Sequence, residues 1–159
     1  MSRAAIEAAI PHRPPFLFVD AVVEESDEGL VASWRVPPDA EWFKGHYPGQ
    51  PVTPGALISE HVFQCAAVWI SHQLQGFDAG DGVPVLTKIA DARFRRMVLP
   101  GETLTTTVRL EEKVGPAWYM RGDVRCGDEK VLRISYVLTA TDAAARAVEP
   151  GSVEPGDRA

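Results

Sequence analysis

Between Pro54 and Gln73 the chain is apolar on nearly every side of a helix, and that feature limits what the rest can be. Ala56-Leu57-Ile58, Val62-Phe63 and Ala66–Ile70 sweep round the axis at about 100° per residue, so a helix here must be surrounded. Thr53 is placed to cap it and Pro54 to occupy its first turn, and the pattern frays over residues 73–76. What remains to surround it is strand-like. Residues 16–23, 30–36, 83–89, 92–98, 103–111, 117–125 and 130–139 read as strands. Turn signals at residues 24–29, Pro100-Gly101, Gly115-Pro116 and Gly127-Asp128 separate most of them. A short helix over residues 3–10, capped by Ser2 and stopped by Pro11, comes first. One buried helix and six or seven strands predict an α+β domain, a curved antiparallel sheet wrapped around one long central helix. Residues 1–141 are assigned to that domain. Residues 76–82 read as a flexible linker and 142–159, with two Glu-Pro-Gly repeats and little to bury, as a disordered tail.

The formal net charge of −6 argues against nucleic acid as the main partner. Two cysteines, Cys65 and Cys126, are too few for a disulfide framework and fit a reducing compartment. The longest apolar run, residues 62–70, is interrupted by Gln64 and too short to cross a bilayer. The first ten residues carry Arg3 and Glu7 and lack the apolar centre of a signal peptide. A cytoplasmic protein that neither crosses nor binds membrane is expected.

The long irregular stretch from Pro37 to Pro54 is of the kind that usually carries function. Its end, Gly45-His46-Tyr47-Pro48-Gly49-Gln50-Pro51-Val52-Thr53-Pro54-Gly55, offers one side chain that titrates near neutrality, His46. It is a candidate general base or a loop histidine with a structural hydrogen bond. Glu60 lies in the otherwise apolar helix. Burial would keep its carboxyl protonated, as a general acid requires, although Ser59-Glu60-His61 is also compatible with an exposed stripe. Gln64, four residues on, shares its face and is placed to orient it or to be solvated beside it. The backbone N–H of Gly55, at the positive end of the helix, is a candidate donor to a developing oxyanion, or the glycine serves only the turn. His12, His46, His61 and His72 have no metal-ligand spacing, so no metal is expected. Cys65 and His61 read as packing residues, His61 alternatively as a subunit contact. Arg93, Arg95 and Arg96 form a basic cluster, either solubilising or a landing surface for an acidic partner.

These residues resemble the FabZ-type 3-hydroxyacyl-[acyl carrier protein] dehydratases. The resemblance rests on Gly45–Pro51, Pro54-Gly55, Leu57–Glu60 and Gln64. Pro11–Asp20 resembles the family's N-terminal signature and Arg93–Glu102 its strand after the helix. It implies a hot-dog fold and a dimer with active sites at the subunit interface. By resemblance, His46 takes the α-proton, Glu60 of the other subunit serves the departing hydroxyl, and the Gly55 N–H holds the thioester carbonyl. Tyr47, Pro54 and Gln64 are placed in the substrate site. No cofactor is implied. The partner implied is an acyl carrier protein bearing an acyl-phosphopantetheine, met by a homodimer, a larger set of dimers or a heterodimer. Tyr47, Thr53, His61-Val62-Phe63 and Met97 depart from the usual family residues without removing a catalytic group, which leaves fatty-acid and polyketide-type synthesis both open. A hot-dog thioesterase and a non-catalytic partner subunit are the rival readings.

Overall fold

The computed structural model describes residues 1–74 and 83–141. Helix α1 (Arg3–Ala9) is followed by strands β1 (Ala21–Ser26) and β2 (Gly29–Arg35). After a 3₁₀ turn at Glu41–Lys44 comes α2 (Gly55–Gln73). The chain then forms β3 (Val83–Phe94), β4 (Thr103–Val114), β5 (Ala117–Cys126) and β6 (Glu129–Thr141). The six strands form one sheet in the order β1-β2-β4-β5-β6-β3, each neighbouring pair antiparallel. This is the hot-dog arrangement expected of the sequence.

The sheet lays one face on α2, and over stretches of its strands a two-residue period shows it. On β4, Leu104, Thr106 and Val108 turn inward and are fully buried, while Thr105, Thr107 and Arg109 turn outward. On β5, Trp118, Met120 and Val124 face the same core. They close on α2, where Val62, Cys65, Ala66, Trp69 and Ile70 are buried. The helix comes so near the sheet that a Cβ on Gly122 would overlap the Val62 side chain. That position therefore needs glycine. Among the described residues no helix is long and apolar enough to cross a membrane.

Four local expectations change. The apolar run 16–23 is not one strand. β1 starts only at Ala21, and Leu17, Phe18 and Val19 are buried before it. The Phe18 N–H goes to the Gln64 side chain rather than to a sheet neighbour. The following turn is tighter than residues 24–29, since β1 runs to Ser26 and β2 begins at Gly29. The strand expected over 83–89 and the start of that expected over 92–98 are one, β3, which ends at Phe94 and whose register against β6 shifts at Leu86/Lys88 and again at Ile89/Asp91. Extra residues absorbed in this way hide the strand period from sequence reading. Thr53 does not cap α2. Pro54 holds that position, and the Thr53 hydroxyl is buried without a partner. The expected linker 76–82 and tail 142–159 lie outside the described residues.

Candidate active site

The loop before α2 is tied down at both ends. The Thr53 N–H donates to the Val98 carbonyl at 2.7 Å and the His46 N–H to the Trp42 carbonyl at 2.8 Å. Between them Tyr47 has φ 56° and Gly49 φ 87°, left-handed values that only the second adopts freely. A tyrosine held there is the kind of strain that collects at functional sites. Its ring packs edge-on against the His46 imidazole at 4.8 Å, and its side chain is otherwise exposed.

His46 Nδ1 lies 2.7 Å from the Val52 carbonyl oxygen. A carbonyl only accepts, so Nδ1 carries the proton and the Nε2 lone pair is left free in the neutral ring. His46, Tyr47 and Gly55 line a cavity of about 780 Å³ together with Gln50, Pro51, Val52, Thr53, Met97, Leu99 and Pro100. Gly55 opens α2, so its N–H has no earlier turn to bond to and sits at the positive end of the helix dipole. The Phe94 ring closes on it so tightly that a Cβ there would lie 3.1 Å from the ring. His46 and the N–H that opens α2 thus meet in one cavity.

Glu60 is elsewhere. Five residues along α2 rotate it roughly 140° from Gly55, and it does not line that cavity. Its side chain is 25% exposed. Gln64 Nε2 donates to Oε1 at 2.9 Å, and His12 Nε2 lies 3.6 Å from the same oxygen. Gln64 is itself completely buried. Its Oε1 accepts from the Phe18 N–H at 2.8 Å and its Nε2 also reaches the Phe16 carbonyl at 3.2 Å. Among the described residues no hydrogen bond or ion pair joins Glu60 to His46. Pro54 is the N-cap of α2, beside the His46 cavity.

The buried histidine is His61, and it packs in the core. Nε2 meets the Thr106 hydroxyl at 2.8 Å and Nδ1 the Cys65 sulfur at 3.6 Å. Burial pushes its pKa down to about 4, against a smaller upward pull from the Phe18 backbone, and drives the Cys65 thiol well up. At neutral pH burial thus keeps the His61 ring uncharged and the Cys65 thiol protonated. Among the described residues no three His, Cys, Asp or Glu side chains converge as a metal site requires.

The three arginines part company. Arg96 is held by Glu102 through both Nη atoms and by Glu129 through Nε, at 2.6–2.8 Å. It locks the turn before β4 to the start of β6. Arg93 pairs with Asp91 at 3.1 Å. Arg95 lines a concavity on the outer sheet face with Arg109, Arg125, Lys130 and Arg133.

The FabA-like domain family model matches residues 10–135, most of the chain. The chain shares 39% identity over 138 residues with the 3-hydroxyacyl-[acyl-carrier-protein] dehydratase FabZ of Anaeromyxobacter dehalogenans, covering 86% of this chain and 88% of that protein. This chain belongs to the FabZ family. A second FabZ relative, from Acidiphilium cryptum, shares 36% identity over 140 residues, or 87% and 84% of the two chains. Among solved structures, the dehydratase heterocomplex ApeI:P from Xenorhabdus doucetiae matches with a TM-score of 0.73 at 16% identity, over 87% of this chain and 92% of that one. At that identity the likeness concerns the fold. Sequence reasoning about this FabZ-family chain singled out His46, Gly55, Glu60 and Gln64 as candidates, but not the residues that contact them. Val52 acts through a carbonyl, which leaves no mark in side-chain chemistry. His12, Phe16 and Phe18 lie in the N-terminal signature, whose purpose appears only when the chain folds back over α2.

Proposed function

We propose that this protein is a hydro-lyase that removes water from a 3-hydroxyacyl thioester, borne on acyl carrier protein, to give the 2-enoyl thioester. The observation that carries this is the His46–Val52 contact, which points the Nδ1 proton at the carbonyl and reserves Nε2 as the accepting nitrogen of a residue that shares its cavity with Gly55. The free nitrogen takes the α-proton. The electron pair left on Cα delocalises onto the thioester oxygen, which the Gly55 N–H stabilises. The pair then forms the Cα–Cβ double bond as the Cβ–O bond breaks, and Glu60 protonates the leaving hydroxyl to give water. The base ends protonated and the acid ionised, so hydration is the same path reversed.

The site is assembled from two chains. Glu60 lies apart from His46 within one chain, and β3 supplies a reason for association. Among the described residues it pairs only with β6 and leaves its other edge open, with Val85, Leu86, Ile89 and Phe94 all exposed. An apolar open edge invites a second copy. The dimer proposed here continues the sheet through β3, and its function requires that the Glu60 of one chain reach the His46 cavity of the other. The two free thiols, Cys65 and Cys126, fit work in a reducing cytoplasm.

For the carrier, the outer sheet face suits an acidic partner. Arg93 stands directly opposite Arg133, Arg109 opposite Arg121, and Arg125 opposite Lys130. Like charges in such pairs repel, and Asp91, Asp123 and Glu111 answer only part of them. In a chain of net charge −6 this is a concentrated basic patch. Arg95 joins it, one residue from the Phe94 that touches Gly55.

The test is incubation with a 3-hydroxyacyl thioester and with a 2-enoyl thioester. Reversible change in enoyl absorbance without free thiol is expected. Free thiol would favour a thioesterase, and no reaction a supporting subunit.

A further inference from the structure

The segment that resembles the family's N-terminal signature has no part in the reaction as written, yet it crosses α2 at Glu60. We propose that His12 is a positioning residue for Glu60, holding carboxyl oxygen Oε1 with Gln64 so that Oε2 carries the acid proton toward substrate. The proposal rests on the dehydratase reading of the site.

Both neighbours approach one oxygen. Gln64 Nε2 donates to Oε1 at 2.9 Å and His12 Nε2 stands 3.6 Å from it. Oε1 already accepts from Gln64, and with its proton on Nε2 His12 gives the same oxygen a second donor, so the proton of a neutral carboxyl belongs on the other oxygen. At 3.6 Å the His12 contact is longer than a hydrogen bond, and such contacts tighten when substrate binds. The histidine is itself held. Arg13 Nη1 bonds the carbonyls of Ile10 and His12, and the His12 ring stacks on Phe16, whose carbonyl meets Gln64. Phe18 completes the clamp through the Gln64 oxygen.

The charged groups acting on His12 are Glu60, across the contact, and Arg13 beside it. Burial lowers its pKa most and Arg13 adds to that, against Glu60. A neutral imidazole with its proton on Nε2 orients the carboxyl without drawing off its proton. A cation in that place would hold Glu60 ionised and remove the acid.

The experiment compares His12→Ala, His12→Gln and His12→Lys by kcat, KM, pH profile and melting temperature. His12→Ala should lose kcat by up to about 10²-fold with little change in KM. His12→Gln, a neutral N–H donor, should recover much of it. His12→Lys should lose kcat and move the alkaline limb of the profile to lower pH. Wild-type kcat and limbs in His12→Ala, or equal losses in all three variants, would overturn the proposal. The Glu60 titration, followed in protein labelled with carbon-13 at glutamate carboxyls, reads the contact without turnover. A wild type that does not dehydrate would sink the proposed reaction. A Glu60 titration unmoved in His12→Lys would sink this inference.

Discussion

His46 Nδ1 and the Val52 carbonyl, 2.7 Å apart, decide which imidazole nitrogen is left to accept a proton. A base presented in this way should be indispensable. His46→Ala should lower dehydration by about 10²–10⁴-fold while the melting temperature and the oligomeric state hold. A folded variant that turns over at the wild-type rate would remove His46 from the mechanism.

Glu60 and His46 do not meet within one chain, so defective subunits should complement. His46→Ala and Glu60→Gln proteins, each nearly inactive, are mixed and allowed to exchange subunits. Each heterodimer should then regain one intact site and about half the wild-type rate. Lack of recovery despite exchange shown by mass spectrometry would place both groups in one chain.

The outer-face cations should matter only when a carrier is present. Arg95→Glu or Arg125→Glu should raise KM for the carrier-borne substrate and flatten its dependence on salt, and leave a short free thioester unaffected. Equal changes on both substrates would refute docking at this face.

Gly122 faces Val62 where no Cβ fits. Gly122→Ala should destabilise the fold by about 1–3 kcal/mol in urea unfolding, through overpacking. Adding Val62→Ala should return part of that loss, giving a coupling that a double-mutant cycle measures. Additive losses would show that the helix shifts to make room.

Burial makes His61 a term in acid stability. The unfolded chain takes up its proton near pH 6.5, the folded one only near pH 4. Between those values the unfolded state binds more protons, so stability falls as pH drops through the window, by on the order of 3 kcal/mol. His61→Gln keeps a polar partner for Thr106 and does not titrate. Its melting temperature should fall less than the wild type's between pH 7 and pH 4.5. Parallel curves would assign the acid loss to other groups.

Patterns that repeat along the chain were legible before folding. Apolar residues all round 55–73 required a buried helix, and the two-residue alternation of 103–111 and 117–125 required strands to enclose it. The glycines at 101, 115 and 127 marked the turns, each with positive φ. Those are local consequences of backbone geometry and burial. His46, Glu60 and Gly55 were legible through their chemistry and their resemblance to the FabZ family. What meets what was not legible. His12 reaches Glu60 across 48 residues of sequence, and Phe18 leaves its expected strand because a buried Gln64 needs its N–H. A backbone carbonyl, that of Val52, orients the His46 ring. The separation of Glu60 from His46 follows from rotation about α2, and Arg95 was set apart from Arg96 by two glutamates that claim only the latter. Such contacts depend on which distant segments close over the helix, and only the tertiary structure decides that.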